Sequence, residues 1–423
     1  MTPKNIGEYR YYDYCRFCFS NQVEPVINLG LMPLAGEFLK NLSKKTLENE
    51  KFYPLELIFC KKCYLLQANA VINKDLIFKD YFYHSSAIKT LVDYFDENVK
   101  YIKKLYPNAS KTFIVEIGCN DGSFIKSLIK NGYKALGVDP ATNIVKPLIE
   151  KGLPIINAYF TQKLAKEING KYGKVDAIYS FNTFAHIQDM HDIVRGIKLL
   201  LKKDGILAFQ VHYLANLARK TQYDMIYHEH QYYYSLLTLQ KFFEMHKMEI
   251  FDIKFAKLHG GSIMYYLQNK RTGKNAVSEK INKLIRKEKE QCLHKAETFA
   301  KLAKKITKQK NGLLKILNNL KQKKMKIVGY GASGRATIIM NYCGIDKKYL
   351  DYIVDDSPAK QYAFTPGTHL KIYPSLKKLH KSKPNYILLF AWSFINEIKK
   401  RNINLKNKLK FIIPLPKVKI ISL

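Results

Sequence analysis

The sequence predicts an α/β protein of three parts: a small cysteine-containing module, a central doubly wound domain and a second Rossmann-like α/β domain. Two C-x-x-C pairs near the N-terminus mark the module. Short apolar strands then alternate with helical stretches, which is typical of a parallel sheet covered by helices. A glycine-rich loop near residue 330 begins another unit of the same kind. We place the three parts at residues 1–75, 76–270 and 271–423.

The four cysteines of the module are Cys15, Cys18, Cys60 and Cys63. In each pair the two thiolates of one tight turn can face a single ion, and two such turns complete a tetrahedral site. Four sulfur ligands leave no open coordination position, so the pattern predicts a structural zinc ion. Two disulfides or four unrelated buried thiols remain alternatives, because the pairs are further apart than in common zinc ribbons.

The composition is that of a globular protein with a large excess of positive charge. The chain has 423 residues, is 47% hydrophobic and carries a formal net charge of +36. Such a charge suits a protein that binds nucleic acid or anions. The lysines are spread along the whole chain, and no basic block accompanies a nucleic-acid-binding motif. We therefore expect an anionic small substrate and no nucleic acid.

The sequence also indicates where the protein resides. No apolar run reaches the length that spans a bilayer, and the N-terminus lacks the pattern of a signal peptide. The remaining cysteines are scattered singly, which fits a reducing compartment. We expect a cytoplasmic protein without membrane contact. The sequence leaves the oligomeric state open, a monomer included.

Helical periodicity begins near residue 88, and the strands of the central domain follow it. The expected strands are residues 112–117, 135–139, 154–156, 175–181 and 205–211. Residues 276–323 are lysine-rich with a helical period, and we interpret them as two linker helices.

The loop after the first central strand has the spacing E-x-G-x-x-x-G. Its glycines allow the backbone to approach a ligand, and the following helix offers free N–H groups. An acidic residue closes the second strand about twenty residues later, where a carboxylate can bind the hydroxyls of a ribose. Together these features resemble an S-adenosylmethionine (SAM) methyltransferase. The expected cofactor contacts are Glu116, Gly118, Asn120, Asp121, Gly122 and Asp139.

A second loop carries the full dinucleotide fingerprint, with Gly329, Gly331 and Gly334 at the required spacing and Asp355 further on. Taken alone it predicts NAD binding. A nucleotide-sugar diphosphate or a vestigial site would satisfy the pattern equally well. Arg335 is placed for a phosphate contact in either case.

Proton-transfer groups are concentrated in residues 227–230. Tyr227, His228, Glu229 and His230 follow the fifth strand, and His186 follows the fourth. The histidines of this cluster are two positions apart, so a helix would not place both on one face for zinc. Ligands of such sheets bind at the carboxyl ends of the strands. The histidines that follow the fourth and fifth strands can therefore converge on one pocket. We expect a loop that presents a general base.

With these motifs in order, the chain resembles the nucleotide-sugar C-methyltransferases that make branched deoxysugars, in particular the 3-C-methyltransferases. The resemblance covers essentially the whole length. The motifs that carry it are residues 33–35 (PLA), 81–86 (YFYHSS), 120–122 (NDG), 227–230 (YHEH), 259–262 (HGGS), 355–360 (DDSPAK) and 365–369 (TPGTH).

The resemblance implies that SAM donates a methyl group to a carbon, with C3 favoured, of a nucleotide-linked 4-keto-deoxyhexose. His230 would be the base that removes the proton beside the keto group. Tyr227, Glu229 and His186 would line the same pocket with a tyrosine of the 81/83 pair, of which we favour Tyr83. The chain departs from the family at residues 118–119, 333–335, 36 and 210–212. The last of these changes touch cofactor and nucleotide contacts and put the identity of the substrate in doubt.

Three other functions remain open at this point. A sugar O-methyltransferase could use the same scaffold, with a base that deprotonates a hydroxyl group. An NAD-dependent oxidoreductase could use the Gly329–Gly334 loop. A zinc scaffold or nucleic-acid binder driven by charge would need no enzyme chemistry.

Overall fold

The computed structural model describes residues 2–79, 81, 83–392, 395, 398 and 409–422. It confirms the α/β fold class, with a cysteine-containing module followed by two open, mainly parallel sheets. Phe82 of the 81–86 motif lies outside the described residues. Within the described ranges, no helix combines the length and the apolar character needed to cross a membrane.

The N-terminal module is built from short antiparallel strands. Its elements are β1 (Lys4–Ile6), β2 (Tyr9–Tyr11), β3 (Val23–Pro33), α1 (Lys44–Glu48), β4 (Phe52–Cys60), β5 (Leu66–Ala68), β6 (Ala70–Ile72) and α2 (Lys74–Phe78). Strands β1, β2 and β6 form one small sheet, and β3, β4 and β5 belong to a second.

The central domain contains the helix expected from residue 88 and all five predicted strands. Its elements are α3 (Lys89–Leu105), β7 (Phe113–Ile117), α4 (Ser123–Lys130), β8 (Lys134–Val138), α5 (Thr142–Glu150), β9 (Ile155–Ile156), α6 (Gln162–Tyr172), β10 (Val175–Phe181), α7 (Met190–Leu200), β11 (Leu201–His212), α8 (Leu214–Lys220), β12 (Tyr232–Tyr233), α9 (Leu236–Met245), β13 (Met248–Ala256) and β14 (Ser262–Asn269).

The seven-stranded central sheet has the order β13-β14-β11-β10-β7-β8-β9. The strands from β9 to β11 are parallel, and β14 pairs antiparallel with both β11 and β13. The strand order reverses at β7, since β8 lies on one side of it and β10 on the other. A crevice forms at such a switch point beyond the carboxyl ends of the strands, which is where open α/β sheets bind ligands.

The C-terminal part begins with the two linker helices that the sequence predicts. Its elements are α10 (Glu279–Glu290), α11 (Ala296–Gln322), β15 (Ile327–Tyr330), α12 (Gly334–Cys343), β16 (Ile353–Asp355), β17 (Ile372–Pro374), α13 (Ser375–Ser382), β18 (Tyr386–Leu389), β19 (Lys410–Ile413) and β20 (Lys419–Ser422). The sheet has the order β17-β16-β15-β18-β19-β20, parallel except for β20.

The segment between α8 and α9 ties the parts together. Its strand β12 does not join the central sheet but pairs with β5 of the N-terminal module. The Arg16 guanidinium donates to the side-chain and backbone oxygens of Gln231, at 2.8 and 3.0 Å. The residues that precede β12 are therefore held between the module and the central sheet.

The 365–369 motif has a structural use, which is to fasten the C-terminal part to the N-terminal module. The Gly367 N–H donates to Glu50 Oε1 at 2.6 Å, and the His369 ring contacts Glu50 Oε2 at 2.6 Å. Residue 367 has a φ of +72°, and a Cβ there would lie 2.1 Å from Asn341 Oδ1. Glycine is thus required by both conformation and space.

A buried carboxyl group caps α9 from a neighbouring helix. Glu288 of α10 is fully buried and accepts the N–H groups of Leu236 and Leu237 at 2.8 and 2.9 Å. First-turn N–H groups have no partner within their own helix, so Glu288 satisfies two donors that would otherwise be orphaned. Burial raises the pKa of Glu288 to about 7.

We predict that Glu288→Ala lowers the thermal unfolding midpoint by roughly 5 °C, because two buried donors lose their acceptors. Differential scanning calorimetry measures the shift. Glu290→Ala on the same helix is the matched control, since Glu290 is exposed. Equal midpoints for the two variants would show that the cap does not stabilise α9.

Candidate functional site

A cavity of about 650 Å³ opens at the carboxyl ends of β7, β8 and β10. Residues that follow these three strands form its floor, and side chains of the N-terminal module form part of its wall. Among its lining residues are Arg10, Lys74, Tyr81, Tyr83, Glu116, Gly118, Asn120, Asp139, Tyr159, Phe160, Asn182, Thr183 and His186. The cavity therefore lies at the switch point of the sheet, where the fold predicts a ligand.

The loop after β7 requires glycine at residue 118. Its φ is +78°, and a Cβ there would lie 2.1 Å from Thr183 Oγ1 on the loop after β10. The next turn is held by Asp139, whose carboxylate accepts the backbone N–H groups of Asn120 and Ala141 at 2.8 and 2.9 Å. Each carboxylate oxygen keeps a further lone pair, so Asp139 can shape the loop and still accept from a ribose.

Glu116 lies next to the last residue of β7. It is a buried acid, and one of its carboxylate oxygens has no protein partner among the described residues. It is 2% exposed, lines the cavity, and its Oε2 has no hydrogen bond within the described residues. Burial, followed by the nearby charges of Asp139 and Asp121, raises its pKa well above the ordinary value. A buried oxygen without a partner next to a cavity is suited to a ligand that donates hydrogen bonds or carries positive charge, as SAM does.

The side chains of Asn120 and Asp121 are used differently from what we expected. Asn120 Oδ1 accepts from the Ser85 N–H at 2.9 Å, and its Nδ2 donates to the Tyr83 carbonyl at 2.9 Å. Asp121 Oδ2 accepts from the Ser86 N–H at 2.7 Å. Asn120 also lines the cavity, whereas Asp121 and Gly122 are not among the lining residues. The loop thus holds the 83–86 segment against the cavity.

The imidazole of His230 lies between two hydrogen-bond partners. Its Nδ1 is 2.8 Å from the Met225 carbonyl oxygen, and its Nε2 is 2.9 Å from the Tyr227 hydroxyl. A carbonyl oxygen only accepts, so Nδ1 must carry the proton, and the unprotonated Nε2 can accept from the Tyr227 hydroxyl. His230 is 8% exposed. The geometry therefore assigns the tautomer that can act as a base through Nε2.

His230, Glu229 and His186 form one cluster with Tyr81. The His186 and His230 rings are 5.1 Å apart, and His186 Nδ1 is 3.9 Å from Glu229 Oε2. The Tyr81 hydroxyl donates to the same carboxylate oxygen at 3.0 Å. Of these residues, His186 and Tyr81 line the cavity, whereas Glu229 and His230 are not among its lining residues. The cluster therefore reaches the cavity of the cofactor loop through His186 and Tyr81.

The ionisation states in the cluster follow from its burial. Burial raises the pKa of Glu229 to about 7, although the hydrogen bond from Tyr81 lowers it. Burial, followed by the neighbouring His230, lowers the pKa of His186 well below its ordinary value. Burial, followed by the charge of Glu229, raises the pKa of Tyr227 well above its ordinary value. At neutral pH His186 is uncharged, and Tyr227 keeps its proton and can donate it in a hydrogen bond.

The tyrosine that contacts the cluster is Tyr81, whereas the sequence favoured Tyr83. The Tyr83 hydroxyl is buried and has no hydrogen-bond partner within the described residues. Both rings line the cavity, with their centroids 6.4 Å apart. Sequence spacing could not separate the two, because they stand two residues apart in one short motif.

Several lining residues were not anticipated from the sequence. Tyr159 and Phe160 follow β9, and Asn182 and Thr183 follow β10. Their position after parallel strands was the available signal, but aromatic and amide residues in such loops are common. Only the order of the strands in the sheet shows that these loops lie beside the loop of Gly118.

The second glycine loop is packed against protein rather than open. A Cβ at residue 331 would lie 2.8 Å from Ala391 Cβ, and one at residue 334 would lie 3.1 Å from Ala35 Cβ in the 33–35 turn. We had expected Arg335 to contact a phosphate, but its guanidinium binds a carboxylate of the protein instead. Its Nε and Nη2 donate to Asp224 Oδ2 at 2.8 and 2.6 Å. Close packing between parts of the chain therefore accounts for the glycines of the fingerprint, and NAD binding is not needed to explain them.

The four cysteines of the module converge on one point. Their sulfur atoms all lie within 4.8 Å of one another, with Cys15 Sγ 3.4 Å from Cys63 Sγ and Cys18 Sγ 3.5 Å from Cys60 Sγ. None of them forms a disulfide. A tetrahedral zinc ion with Zn–S bonds of about 2.3 Å requires sulfurs roughly 3.8 Å apart, so the set fits zinc.

Three family models match consecutive parts of the chain. Residues 15–78 match a domain described as zinc binding, residues 92–248 match a methyltransferase domain, and residues 257–416 match a C-methyltransferase C-terminal domain. The three matches follow the order module, central domain and C-terminal part.

A relative resembles the chain over nearly its whole length. The C-methyltransferase NovU of Streptomyces niveus is 28% identical over 411 residues, which is 97% of this chain and 97% of the relative. Solved structures match less of the chain. The magnesium protoporphyrin IX methyltransferase of Synechocystis PCC 6803 with bound SAH has a TM-score of 0.33 at 15% identity, covering 42% of this chain and 83% of that one. The YcgJ protein of Bacillus subtilis has a TM-score of 0.33 at 14% identity, covering 40% and 97%.

We predict that Gly118→Ala weakens SAM binding by at least roughly 10-fold, because the new methyl group collides with Thr183 and deforms the loop. Isothermal titration calorimetry with SAM measures the change. Gly152→Ala is a matched control, since Gly152 has a φ of +82° but no atom within 4 Å of the new Cβ. Unchanged affinity in Gly118→Ala would exclude this loop from the cofactor site.

We predict that Cys18→Ser lowers the zinc content of the purified protein from about one ion per chain towards zero, together with the thermal unfolding midpoint. Plasma mass spectrometry measures the metal. Cys292→Ser provides the control, because Cys292 lies outside the cluster. One zinc per chain in Cys18→Ser with an unchanged midpoint would contradict the four-sulfur site.

Proposed function

The chain belongs to the SAM-dependent C-methyltransferase family, and from this premise we propose that it methylates a carbon of a nucleotide-linked 4-keto-deoxyhexose, with C3 favoured. The observation that carries the proposal is the imidazole of His230, whose Nδ1 donates to a backbone carbonyl and whose Nε2 therefore keeps its lone pair. Carbon methylation needs such a base, because a carbon beside a ketone is a weak acid.

The proposed first step is removal of a proton by His230. Nε2 takes the hydrogen from the carbon beside the keto group, and the C–H electron pair moves to form the enolate. A positioned histidine base accelerates such a step by roughly 10²–10⁴-fold. Displacing the Tyr227 hydroxyl from Nε2 would let the substrate reach the base and leave that hydroxyl free to donate.

Neutral donors then stabilise the enolate oxygen. Tyr227 and His186 are both uncharged at neutral pH and both lie beside the His230 ring, at centroid distances of 4.0 and 5.1 Å. A hydrogen bond aimed at developing charge in a buried site is worth more than one in water. Glu229 holds Tyr81 against the same cluster.

The cofactor residues would align the second reactant. When bound, SAM supplies an electrophilic methyl group on sulfur. We propose that Gly118 and Asn120 contact it through the loop, that Asp139 accepts from the ribose, and that Glu116 faces its positive charge. The protein's main contribution at this stage is alignment of two substrates, which can reach about 7–11 kcal/mol.

The positive charge of the cavity wall supports an anionic substrate as the acceptor of the methyl group. Arg10 and Lys74 of the N-terminal module line it, at some distance along the chain from the cofactor loop. Positive groups at a cavity wall favour phosphates, which a nucleotide diphosphate supplies.

The base step can be tested without the methyl donor. We predict that the enzyme exchanges the proton beside the ketone of dTDP- or UDP-linked 4-keto-6-deoxyglucose with deuterium oxide, and that His230→Gln slows this exchange by roughly 10²–10⁴-fold. Proton NMR follows the loss of the ring signal. His294→Gln, which changes a histidine of the linker region, is the control.

The position of the methyl group is the second readout. With ¹³C-methyl-labelled SAM, we expect coupling of the label to a ring carbon in the product. A label on oxygen, or deuterium exchange that is unaffected by His230→Gln, would contradict the proposal.

A further inference from the structure

Asp224 lies immediately before the residue that fixes the His230 tautomer. Residues Tyr223–Met225 form a single 3₁₀ turn, in which the N–H of Met225 donates to the Gln222 carbonyl at 3.0 Å. The carbonyl of Met225 in turn accepts from His230 Nδ1. Because Asp224 and Met225 share one short turn, a shift of the Asp224 side chain would turn the Met225 carbonyl.

The C-terminal part of the chain holds Asp224 in place. Arg335, in the first turn of α12, donates from Nε and Nη2 to Asp224 Oδ2, and Trp392 Nε1 donates to the same oxygen at 2.9 Å. The Arg335 guanidinium lies 4.8 Å from the Trp392 ring centroid. Three charge-assisted donors from two segments of the C-terminal part thus converge on one carboxylate oxygen.

The burial of Asp224 makes this contact hard to replace. Asp224 is fully buried, and its Oδ1 has no hydrogen-bond partner within the described residues. Arg335 is the cation paired with it. A buried carboxylate that loses its cation is strongly destabilised where it lies, so the turn would not keep its conformation.

We propose that Arg335 is a positioning residue that, through Asp224 and the Met225 carbonyl, keeps His230 in the tautomer whose Nε2 is unprotonated. Arg335 acts across the boundary between the C-terminal part and the central domain and does not touch the reacting atoms. The inference rests on the proposed function only for its effect on rate. The effect on the tautomer stands on the hydrogen bonds alone.

The tautomer can be measured directly by ¹⁵N NMR of the imidazole nitrogens, with the His230 signals assigned by their absence in His230→Gln. In the wild type we expect one tautomer, with the proton on Nδ1. In Arg335→Met we expect exchange-averaged or split signals from a mixture of tautomers. Arg335→Lys retains the charge and should restore part of the wild-type spectrum. Arg286→Met, at an exposed position on α10, should leave the spectrum unchanged.

The rate provides the second readout. We expect Arg335→Met to lower kcat by roughly 10- to 100-fold with little change in KM, because misplacement of a catalytic group affects the transition state more than substrate binding. Trp392→Phe removes one donor without leaving the carboxylate unpaired, and it should shift both readouts less and in the same direction. It keeps the test valid if Arg335→Met does not fold.

The outcomes separate the two proposals. A folded Arg335→Met or Trp392→Phe protein that keeps the single wild-type tautomer overturns the positioning role, whatever the methylation assay gives. A mixed tautomer in Arg335→Met, combined with full activity in His230→Gln, supports the structural link but overturns His230 as the base.

Discussion

The hydrogen bond from His230 Nδ1 to the Met225 carbonyl is the contact on which the site depends. It joins a side chain to the backbone five residues earlier, so the turn between them sets both the position and the tautomer of the ring. Without this contact either ring nitrogen could carry the proton. With it, the lone pair is confined to Nε2, beside Tyr227 and within reach of the His186 ring.

Every part of the chain contributes to holding that turn. The N-terminal module supplies Arg16, which binds Gln231, and backbone carbonyls of Tyr53 and Pro54 near His228 Nε2 at 3.3 Å. The C-terminal part supplies Arg335, which binds Asp224. If this segment is catalytic, as we propose, the module and the C-terminal part can support it without carrying chemistry themselves. This accounts for a zinc site with no open position and for a glycine fingerprint filled by protein atoms.

Much of this arrangement could be predicted from the sequence because its signals are local. The C-x-x-C pairs, the strand-loop-helix after β7 and the cluster at residues 227–230 each depend on short spacings, and the expected central strands are present. Strands β13 and β14 were not predicted, since they pair antiparallel outside the repeating pattern. The partners of Arg335 and Asp121 were not predicted, for another reason. Each is bonded to a residue far along the chain or on a neighbouring loop, and no local pattern shows which partner a charged side chain will find.

The central claim is that the base and the methyl donor face one carbon from two sides of a shared cavity. A crystal structure of the enzyme with SAH and a nucleotide-linked 4-keto-6-deoxyhexose tests it most directly. The account predicts His230 Nε2 within about 3.5 Å of the carbon beside the ketone, with the sulfur of SAH near the opposite face. A sugar bound elsewhere, with that carbon out of reach of Nε2, would contradict the account.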